Sequence, residues 1–313
     1  AVGCVTQSVT VDQMDAMGAS WPAAHTDARQ MATLGAAGTK VFGFENARIP
    51  FCLTVEAEAF GCTVDLGKVD RTPMVKSHMY EAEDTPVLPT DFTTKGRVKT
   101  VLEATKILKQ EIGNEYPIVV GTTGPLTIAG HLVGTENLLL MMITDPDAVH
   151  KFIKVAAEME KEYLKALVAA GADVIAMSDP SASTDMLSGE MFDEFALPYT
   201  KTAWEGAEGA KKILHICGDT TILLDHMINT GADALSIEEK VDPAKAVELV
   251  NGRAALVGNI GVVRPLLQGT PEECYDNAIR VKEAGFNVVA PGCGLAARVP
   301  KANIEAMVKA IKG

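Results

Sequence analysis

The sequence predicts an α/β protein, a single (β/α)8 or TIM barrel covering residues 1–313. A length of 313 residues suits one such barrel. Short apolar runs alternate with longer amphipathic stretches from end to end, which is typical of repeated β/α units. A glycine also recurs where predicted helices give way to strands, at Gly171, Gly231 and Gly285. An open doubly wound sheet is the alternative, because it shows the same alternation.

Eight runs are short and apolar on both faces, as the strands of a covered parallel sheet must be. They are residues 2–5, 41–44, 118–121, 174–177, 213–216, 234–237, 255–258 and 288–290. Helical patterns lie between them, the clearest at residues 100–112, 148–170, 243–250 and 271–284. Residues 53–95 form the longest interruption, an insertion between strands 2 and 3 with a predicted small hairpin at 61–65. We interpret it as an elaboration over the barrel mouth, so one domain is predicted.

The composition excludes several classes of protein. There are 28 basic and 41 acidic residues, and a net charge of −13 argues against binding along nucleic acid. No apolar run reaches the ~18–20 residues of a membrane span, and no secretory pattern opens the chain. The six cysteines are too few for a disulfide scaffold, which predicts a cytoplasmic protein with buried, metal-binding or nucleophilic thiols. Because the chain lacks an initiator methionine and begins inside an apparent strand, we expect a short segment to precede it.

Polar residues converge on the carboxyl ends of the predicted strands, where barrel active sites lie. His215 and Cys217 are two residues apart and therefore project from one face of the fifth strand. Glu238 follows the sixth strand, and Cys293 lies in a glycine-flanked turn after the eighth. Each residue alone has a structural explanation, since a buried cysteine usually serves as a small apolar side chain. Together they predict a zinc site.

The donor types indicate the chemistry of that site. A structural zinc normally draws on close ligand pairs, whereas these ligands come from three different strand ends. Two thiolates and a carboxylate would leave the site with a formal charge of −1. Such electron-rich zinc favours an incoming thiolate while keeping its sulfur nucleophilic. The donors therefore indicate alkyl transfer to a thiol.

Several motifs resemble one known superfamily over essentially the whole chain. Residues 256–260, 269–273 and 290–295 resemble the C-terminal half of the uroporphyrinogen decarboxylases. Leu-His-Ile-Cys-Gly at 214–218 and Pro-Gly-Cys-Gly at 291–294 resemble the zinc-dependent methylcobamide:coenzyme M methyltransferases of methanogenic archaea. Residues 5–7, 21–25 and 48–51 are also similar to that branch.

This resemblance implies bound Zn²⁺ and a methyl group that moves from methyl-Co(III) to coenzyme M, 2-mercaptoethanesulfonate. The methylcorrinoid would be a substrate carried by a partner corrinoid protein in methanogenesis. By position, the zinc ligands would be His215, Cys217 and Cys293, with Glu238 as the fourth. Glu239 is the alternative fourth ligand, although strand alternation favours Glu238.

Three other activities remain open. A corrinoid-dependent O- or N-demethylase of the same superfamily would carry methyl groups in the opposite direction. Porphyrinogen decarboxylases carry an arginine-rich loop after their first strand, whereas residues 7–11 contain no arginine, and the thiolate pair would be unexplained. A non-catalytic zinc-binding module is the third.

Four further residues follow predicted strands and are secondary candidates. Asp179 could position substrate or hydrogen-bond His215, or it could cap the next turn. Asn259 could bind coenzyme M by donating a hydrogen bond to its sulfonate, and Gln7 is a weaker candidate for binding coenzyme M or the corrinoid. Arg48 could hold the sulfonate or a corrinoid amide, or it could form a surface ion pair.

Overall fold

The computed structural model describes residues 1–7 and 9–313. Its centre is a curled sheet of seven parallel strands in the order β1-β4-β5-β6-β7-β8-β9, and β2 pairs with β3 in a separate antiparallel hairpin. The order follows the chain without reversal, which differs from the strand order of a doubly wound sheet. The strands are β1 (Ala47–Ile49), β2 (Thr63–Asp65), β3 (Met74–Ser77), β4 (Ile118–Thr123), β5 (Val174–Ser178), β6 (Lys211–His215), β7 (Ala234–Ile237), β8 (Ala255–Ile260) and β9 (Val288–Pro291).

Helices connect and cover these strands. They are α1 (Val11–Met17), α2 (Ala28–Gly35), α3 (Val55–Phe60), α4 (Gly96–Ile112), α5 (Pro125–Val133), α6 (Thr135–Thr144), α7 (Pro146–Ala170), α8 (Gly189–Phe195), α9 (Leu197–Trp204), α10 (Leu224–Asn229), α11 (Pro243–Val250), α12 (Pro271–Ala284) and α13 (Lys301–Lys312). The helices predicted at 243–250 and 271–284 are confirmed. The three predicted junction glycines are confirmed too, since all have the positive φ of a left-handed residue.

Two layers of apolar side chains fix which way each strand faces. The larger core lies between the sheet and the helices. A smaller cluster fills the concave side of the sheet with one residue from each of six strands and Val5. Its strand members are Val119, Ala176, Ile213, Ala234, Val257 and Ala290. Because side chains alternate along a strand, residues two and four positions beyond these members also face the concave side.

The first predicted strand is reduced to a single bridge. Val2 pairs with Val289 of β9, and on its other side its carbonyl accepts a hydrogen bond from the Glu45 amide at 2.9 Å. Two residues on, the Asn46 side chain binds both the N–H and the carbonyl of Cys4, at 2.9 and 2.8 Å. A side-chain amide thus takes the place of a backbone ladder, which is why residues 2–5 do not form a full strand.

The prediction of a strand at 41–44 is wrong. The residues after α2 continue as a π-helical turn, Gly38–Phe42, and Gly43 ends it with a φ of 78°. Phe42 and Phe44 are buried, so the apolar run does belong to the core, but as the end of a helix. The strand itself begins later, at Ala47. A short run of buried apolar residues does not distinguish these two structures.

The insertion carries α3, the β2–β3 hairpin and a 3-10 turn at Phe92–Thr94. The predicted hairpin segment 61–65 contributes only one strand, and its partner lies further along at Met74–Ser77. Over the described residues, no single helix is both long and apolar enough to cross a membrane. Only α5 and α6 taken together satisfy that length and composition, and they are bent by 102°.

Candidate metal centre

The structure brings three of the four predicted ligands together. The Cys217 Sγ lies 3.3 Å from His215 Nε2 and 3.5 Å from Cys293 Sγ. All three donor atoms lie within 4.8 Å of one another. His215 is buried and the two cysteines are half-buried. One nitrogen and two sulfurs therefore face a common point.

Strand alternation explains why these side chains meet. Ile213 belongs to the apolar cluster on the concave side, so His215 and Cys217 are the next two side chains on that side. Cys293 follows β9, and its carbonyl accepts a hydrogen bond from the Thr6 hydroxyl at 2.9 Å. Thr6 thus connects the Cys293 turn to the beginning of the chain.

The imidazole of His215 is oriented by Ser236 on the neighbouring strand β7. Its Nδ1 lies 3.2 Å from the Ser236 carbonyl and 3.1 Å from the Ser236 hydroxyl. Because a carbonyl only accepts, Nδ1 carries the proton and Nε2 is left with a lone pair toward the cysteines. Asp179 was a predicted partner for His215, but Ser236 is the residue beside Nδ1.

The two sulfurs titrate as a pair. The hydrogen bond from the Cys217 thiol lowers the pKa of Cys293 to about 3, although burial opposes it. The same hydrogen bond raises the pKa of Cys217, and burial and the charges of Cys293 and Glu238 raise it further. The site therefore stabilises a thiolate at Cys293 first.

Glu238 and Glu239 face different surroundings. Glu238 lies four residues beyond Ala234 of the concave cluster and is half-buried, whereas Glu239 is exposed. Burial raises the pKa of Glu238, and the charge of Cys293 adds to the effect. Glu238 is therefore the carboxylate close to the three donors, although it lies outside the group that shares the 4.8 Å limit.

A cavity of about 110 Å³ opens beside the three donors, and the buried guanidinium of Arg48 lines it. Arg48 lies in β1 and is 3% exposed, so the surface ion pair considered for it is wrong. Its guanidinium donates to the Val5 carbonyl at 3.3 Å and to the Pro50 carbonyl. Burial lowers its pKa to about 10, which leaves it charged at neutral pH. The remaining lining includes Thr6, Gln7, Cys52, Leu53, Ser178, Pro180 and Gly294.

Asp179 caps a helix and does not face the cavity. Its carboxylate accepts hydrogen bonds from the N–H of Leu126 and from the N–H and hydroxyl of Thr127, at 3.3, 2.9 and 2.6 Å. These donors belong to the first turn of α5, where a carboxylate is favourable. Burial nevertheless raises the pKa of Asp179 to about 6. The turn-capping alternative is thus the closer one, although the capped helix is α5.

Asn259 is committed to its neighbours as well. Its amide nitrogen donates to the carbonyls of Glu238 and Val241, at 3.1 and 2.7 Å. Both amide protons are thereby used, so Asn259 cannot donate to a sulfonate without breaking the turn that follows β7. The predicted strand ended at residue 258, but β8 continues to Ile260, so Asn259 lies inside the strand and next to the turn that it binds.

Gln7 is half-buried and lines the cavity beside Gly294. Sequence reasoning missed the two anchors Thr6 and Ser236. Ser236 is a lone polar residue in the apolar strand Ala-Leu-Ser-Ile, and it has the same alternation as Glu238. A lone polar residue on the same side of the strand as a predicted ligand was the sequence signal that could have identified Ser236. For Thr6 no such signal exists, because its partner is a backbone carbonyl 287 residues away.

Comparisons with known proteins agree with this geometry. The uroporphyrinogen decarboxylase (URO-D) family model matches residues 2–313. Methylcobamide:CoM methyltransferase MtbA of Methanosarcina acetivorans is 38% identical over 312 residues, 99% of this chain and 91% of the relative. The corresponding MtaA of Methanosarcina barkeri is 38% identical over 98% of this chain and 91% of its own length. A solved methyltransferase from Methanosarcina mazei superposes with a TM-score of 0.95 at 38% identity, covering 99% of this chain and 92% of that one. The chain therefore belongs to the uroporphyrinogen decarboxylase family and, within it, to the group that contains the methylcobamide:CoM methyltransferases.

Proposed function

We propose that this protein transfers a methyl group from a methylated corrinoid protein to the thiol of coenzyme M, with zinc held at His215, Cys217 and Cys293. The observation that carries the proposal is the cluster of one imidazole and two thiols beside a cavity with a buried guanidinium. A metal at the cluster would bind the thiol end of a small molecule, and the buried cation would bind a sulfonate at its other end. The 38% identity to methylcobamide:CoM methyltransferases supports the same reaction.

The donor set fits zinc. With Zn–S near 2.3 Å and Zn–N near 2.0–2.1 Å, tetrahedral ligands are about 3.5–3.8 Å apart. The separations of 3.3 and 3.5 Å around Cys217 are close to this. Glu238 is the fourth ligand in this proposal, and its carboxylate would have to move toward the other three. When bound, zinc with two thiolate ligands keeps an added thiol ionised while leaving its sulfur nucleophilic.

The residues of the chain supply position and charge. Arg48 would bind the sulfonate, since it is the cation among the described lining residues of the cavity. Ser236 holds the His215 imidazole, and Thr6 holds the Cys293 turn. Asn259 fixes the turn that carries Glu238. These contacts would keep the thiol sulfur in line with the incoming methyl group.

The transfer itself is a displacement. The thiol first loses its proton to solvent, and its sulfur then forms a bond to the methyl carbon. The carbon–cobalt bond breaks with its electron pair retained by cobalt, so Co(III) becomes Co(I). The products are the methyl thioether and the reduced corrinoid. Reaction requires the sulfur and the methyl carbon to be held roughly 3–3.5 Å apart.

Metal analysis of purified protein tests the site. We expect about one zinc per chain, lost in Cys217→Ser and Cys293→Ser, because each variant removes one of three clustered donors. Cys274→Ser is the matched control, since Cys274 is a buried thiol on α12 that lies outside the cluster. Equal zinc content in all three variants would contradict the ligand assignment.

An anaerobic assay with free methylcobalamin and coenzyme M tests the reaction. We expect the spectrum of cob(I)alamin together with the methyl thioether. Binding of coenzyme M near neutral pH should also release about one proton, because a free thiol has a pKa of about 8.5. Calorimetry in buffers of different ionisation enthalpy measures that release. Demethylation of an aryl ether or amine onto cob(I)alamin, without thioether formation, would instead identify a demethylase.

We also propose that the sheet closes as a single-domain (β/α)8 barrel with the insertion over its mouth. The support is that the first residues contact both edges, through Val2 to β9 and through Asn46 ahead of β1. One continuous core with members from Val2 to Ala310 supports a single domain. A cytoplasmic location is proposed because all six cysteines are free thiols.

A further inference from the structure

A second cavity adjoins the one at the metal centre. Its volume is about 400 Å³, and its wall is shared with the first cavity through Gln7, Cys52 and Leu53. Residues 72–75 of the hairpin also line it. Met74 is 49% exposed, so this cavity reaches the protein surface along the hairpin. The insertion thus encloses a space that leads from the surface toward the three donors.

The two cavities differ in charge. Arg48 provides a cation in the smaller cavity. Among the residues that the structure describes, the lining of the larger cavity includes no carboxylate, lysine or arginine. One of its two imidazoles is His131, and burial lowers the pKa of that residue to about 4, so it is neutral. An ionic ligand would find no counter-charge there.

Its polar groups are nevertheless suited to hydrogen bonding. Thr72 and Thr135 line the cavity, and within the described chain neither hydroxyl is engaged by another residue. The Nδ1 of His78 lies 3.0 Å from the His131 carbonyl and donates to it, which leaves Nε2 for a ligand. The cavity therefore offers both donors and acceptors to a neutral, amide-like ligand.

We propose that this second cavity receives the edge of the corrin ring of the methyl donor, and that Thr72, Thr135 and His78 bind its carboxamide side chains. The inference rests on the proposed function and specifies where the donor enters. A corrin ring is far larger than the smaller cavity, yet its methyl group must reach the thiol. A neutral space that shares a wall with the thiol site satisfies both requirements.

Filling the cavity tests the inference on the zinc-loaded full chain with methylcobalamin as the probe. Thr72→Trp should lower kcat/KM for methylcobalamin at least about tenfold, while zinc content and calorimetric coenzyme M affinity stay within about twofold of wild type. Ser77→Trp is the matched control, because Ser77 is exposed on β3, the hairpin strand that follows Thr72, and does not line the cavity. It should behave as wild type. Thr135→Val, which keeps the side-chain shape, should raise KM for methylcobalamin without altering coenzyme M affinity.

Three outcomes would overturn the inference. Unchanged methylcobalamin turnover in Thr72→Trp would show that the ring enters elsewhere. Impaired turnover in Ile222→Trp, an exposed position in the loop after β6, with no effect of Thr72→Trp, would locate the entrance there. Parallel loss of coenzyme M binding would assign the cavity to the thiol. If the wild-type protein bound no zinc and transferred no methyl group, the proposed function itself would fail before any variant was compared.

Discussion

A substitution at Gly121 tests the proposed sulfonate-binding role of Arg48 without changing Arg48 itself. A Cβ at position 121 would lie 2.2 Å from Arg48 Nη2 and 2.8 Å from its Cζ. Ordinary contact begins at 3.4 Å, so Gly121→Ala must displace the guanidinium by about 1.2 Å. The bond to the Val5 carbonyl is already 3.3 Å long and would be lost. Overpacking of this kind costs about 1–3 kcal/mol of stability.

The larger effect should be on ligand binding. A hydrogen bond to a charged group is worth about 1.5–3 kcal/mol, which corresponds to roughly 10–150-fold in Kd. We therefore expect Gly121→Ala to weaken coenzyme M binding by that factor and to leave zinc content unchanged. Calorimetry on zinc-loaded protein measures the affinity, with thermal unfolding as the check on folding.

The control ligand is 2-mercaptoethanol, which has the thiol but no sulfonate. Its affinity should be the same for wild type and Gly121→Ala, because its neutral hydroxyl does not need Arg48. Arg48→Lys should show the same selectivity, since lysine keeps the charge but lacks the planar fork of donors. Equal losses for both thiols, or loss of zinc, would refute the role of Arg48.

Three other predictions concern buried polar groups. Glu160 is fully buried on α7, and neither of its oxygens has a hydrogen-bond partner among the described residues. Burial and the charge of Glu56 raise its pKa well above 4.5. Folding therefore takes up a proton, and the stability of the wild type should fall as pH rises above about 4.5, by up to about 1.4 kcal/mol per unit. In urea unfolding at pH 6 and 7, the stability of Glu160→Gln should not show this fall, whereas that of the exposed control Glu162→Gln should. The same fall in the wild type and both variants would mean that Glu160 is ionised. Thr6→Val removes the hydrogen bond from the Thr6 hydroxyl to the Cys293 carbonyl, so we expect a loss of about 1 kcal/mol of stability. The variant should also lose zinc to a chelator more readily. Unaltered zinc retention would exclude a positioning role for Thr6. Asp179→Asn should cost about 1–3 kcal/mol through the first turn of α5, with zinc content retained; metal loss in that variant would place the carboxylate in the site after all.

The clustering of the three proposed metal donors was predictable because their positions depend on strand geometry alone. His215 and Cys217 needed only the alternation of one strand, and Cys293 needed a turn at the end of another. The preference for Glu238 over Glu239 follows from the same alternation, and it agrees with their half-buried and exposed positions.

The remaining site residues depend on contacts between distant segments, which alternation does not specify. Arg48 was predicted to follow a strand at 41–44, with a ligand-binding role and a surface ion pair both open, but it lies inside β1, which begins at Ala47. Asn259 lies at the strand end where the sequence predicts it, but both of its amide protons are donated to carbonyls of the neighbouring turn. Asn46 replaces a backbone ladder with its side chain, and no local pattern predicts such a substitution.

The anchor between Thr6 and Cys293 has a consequence for how the protein matures during synthesis. These residues are 287 positions apart, and Cys217 is 76 positions from Cys293. Bringing such distant parts of a chain together is entropically costly and slow, and it cannot occur until the second cysteine has left the ribosome. With the proposed ligands, the nascent chain would carry His215 and Cys217 without their partner for the time needed to add the 76 residues up to Cys293. Metal captured during that interval would lack the Cys293 ligand, so full affinity would be acquired only when the first residues of the chain dock against the last strand.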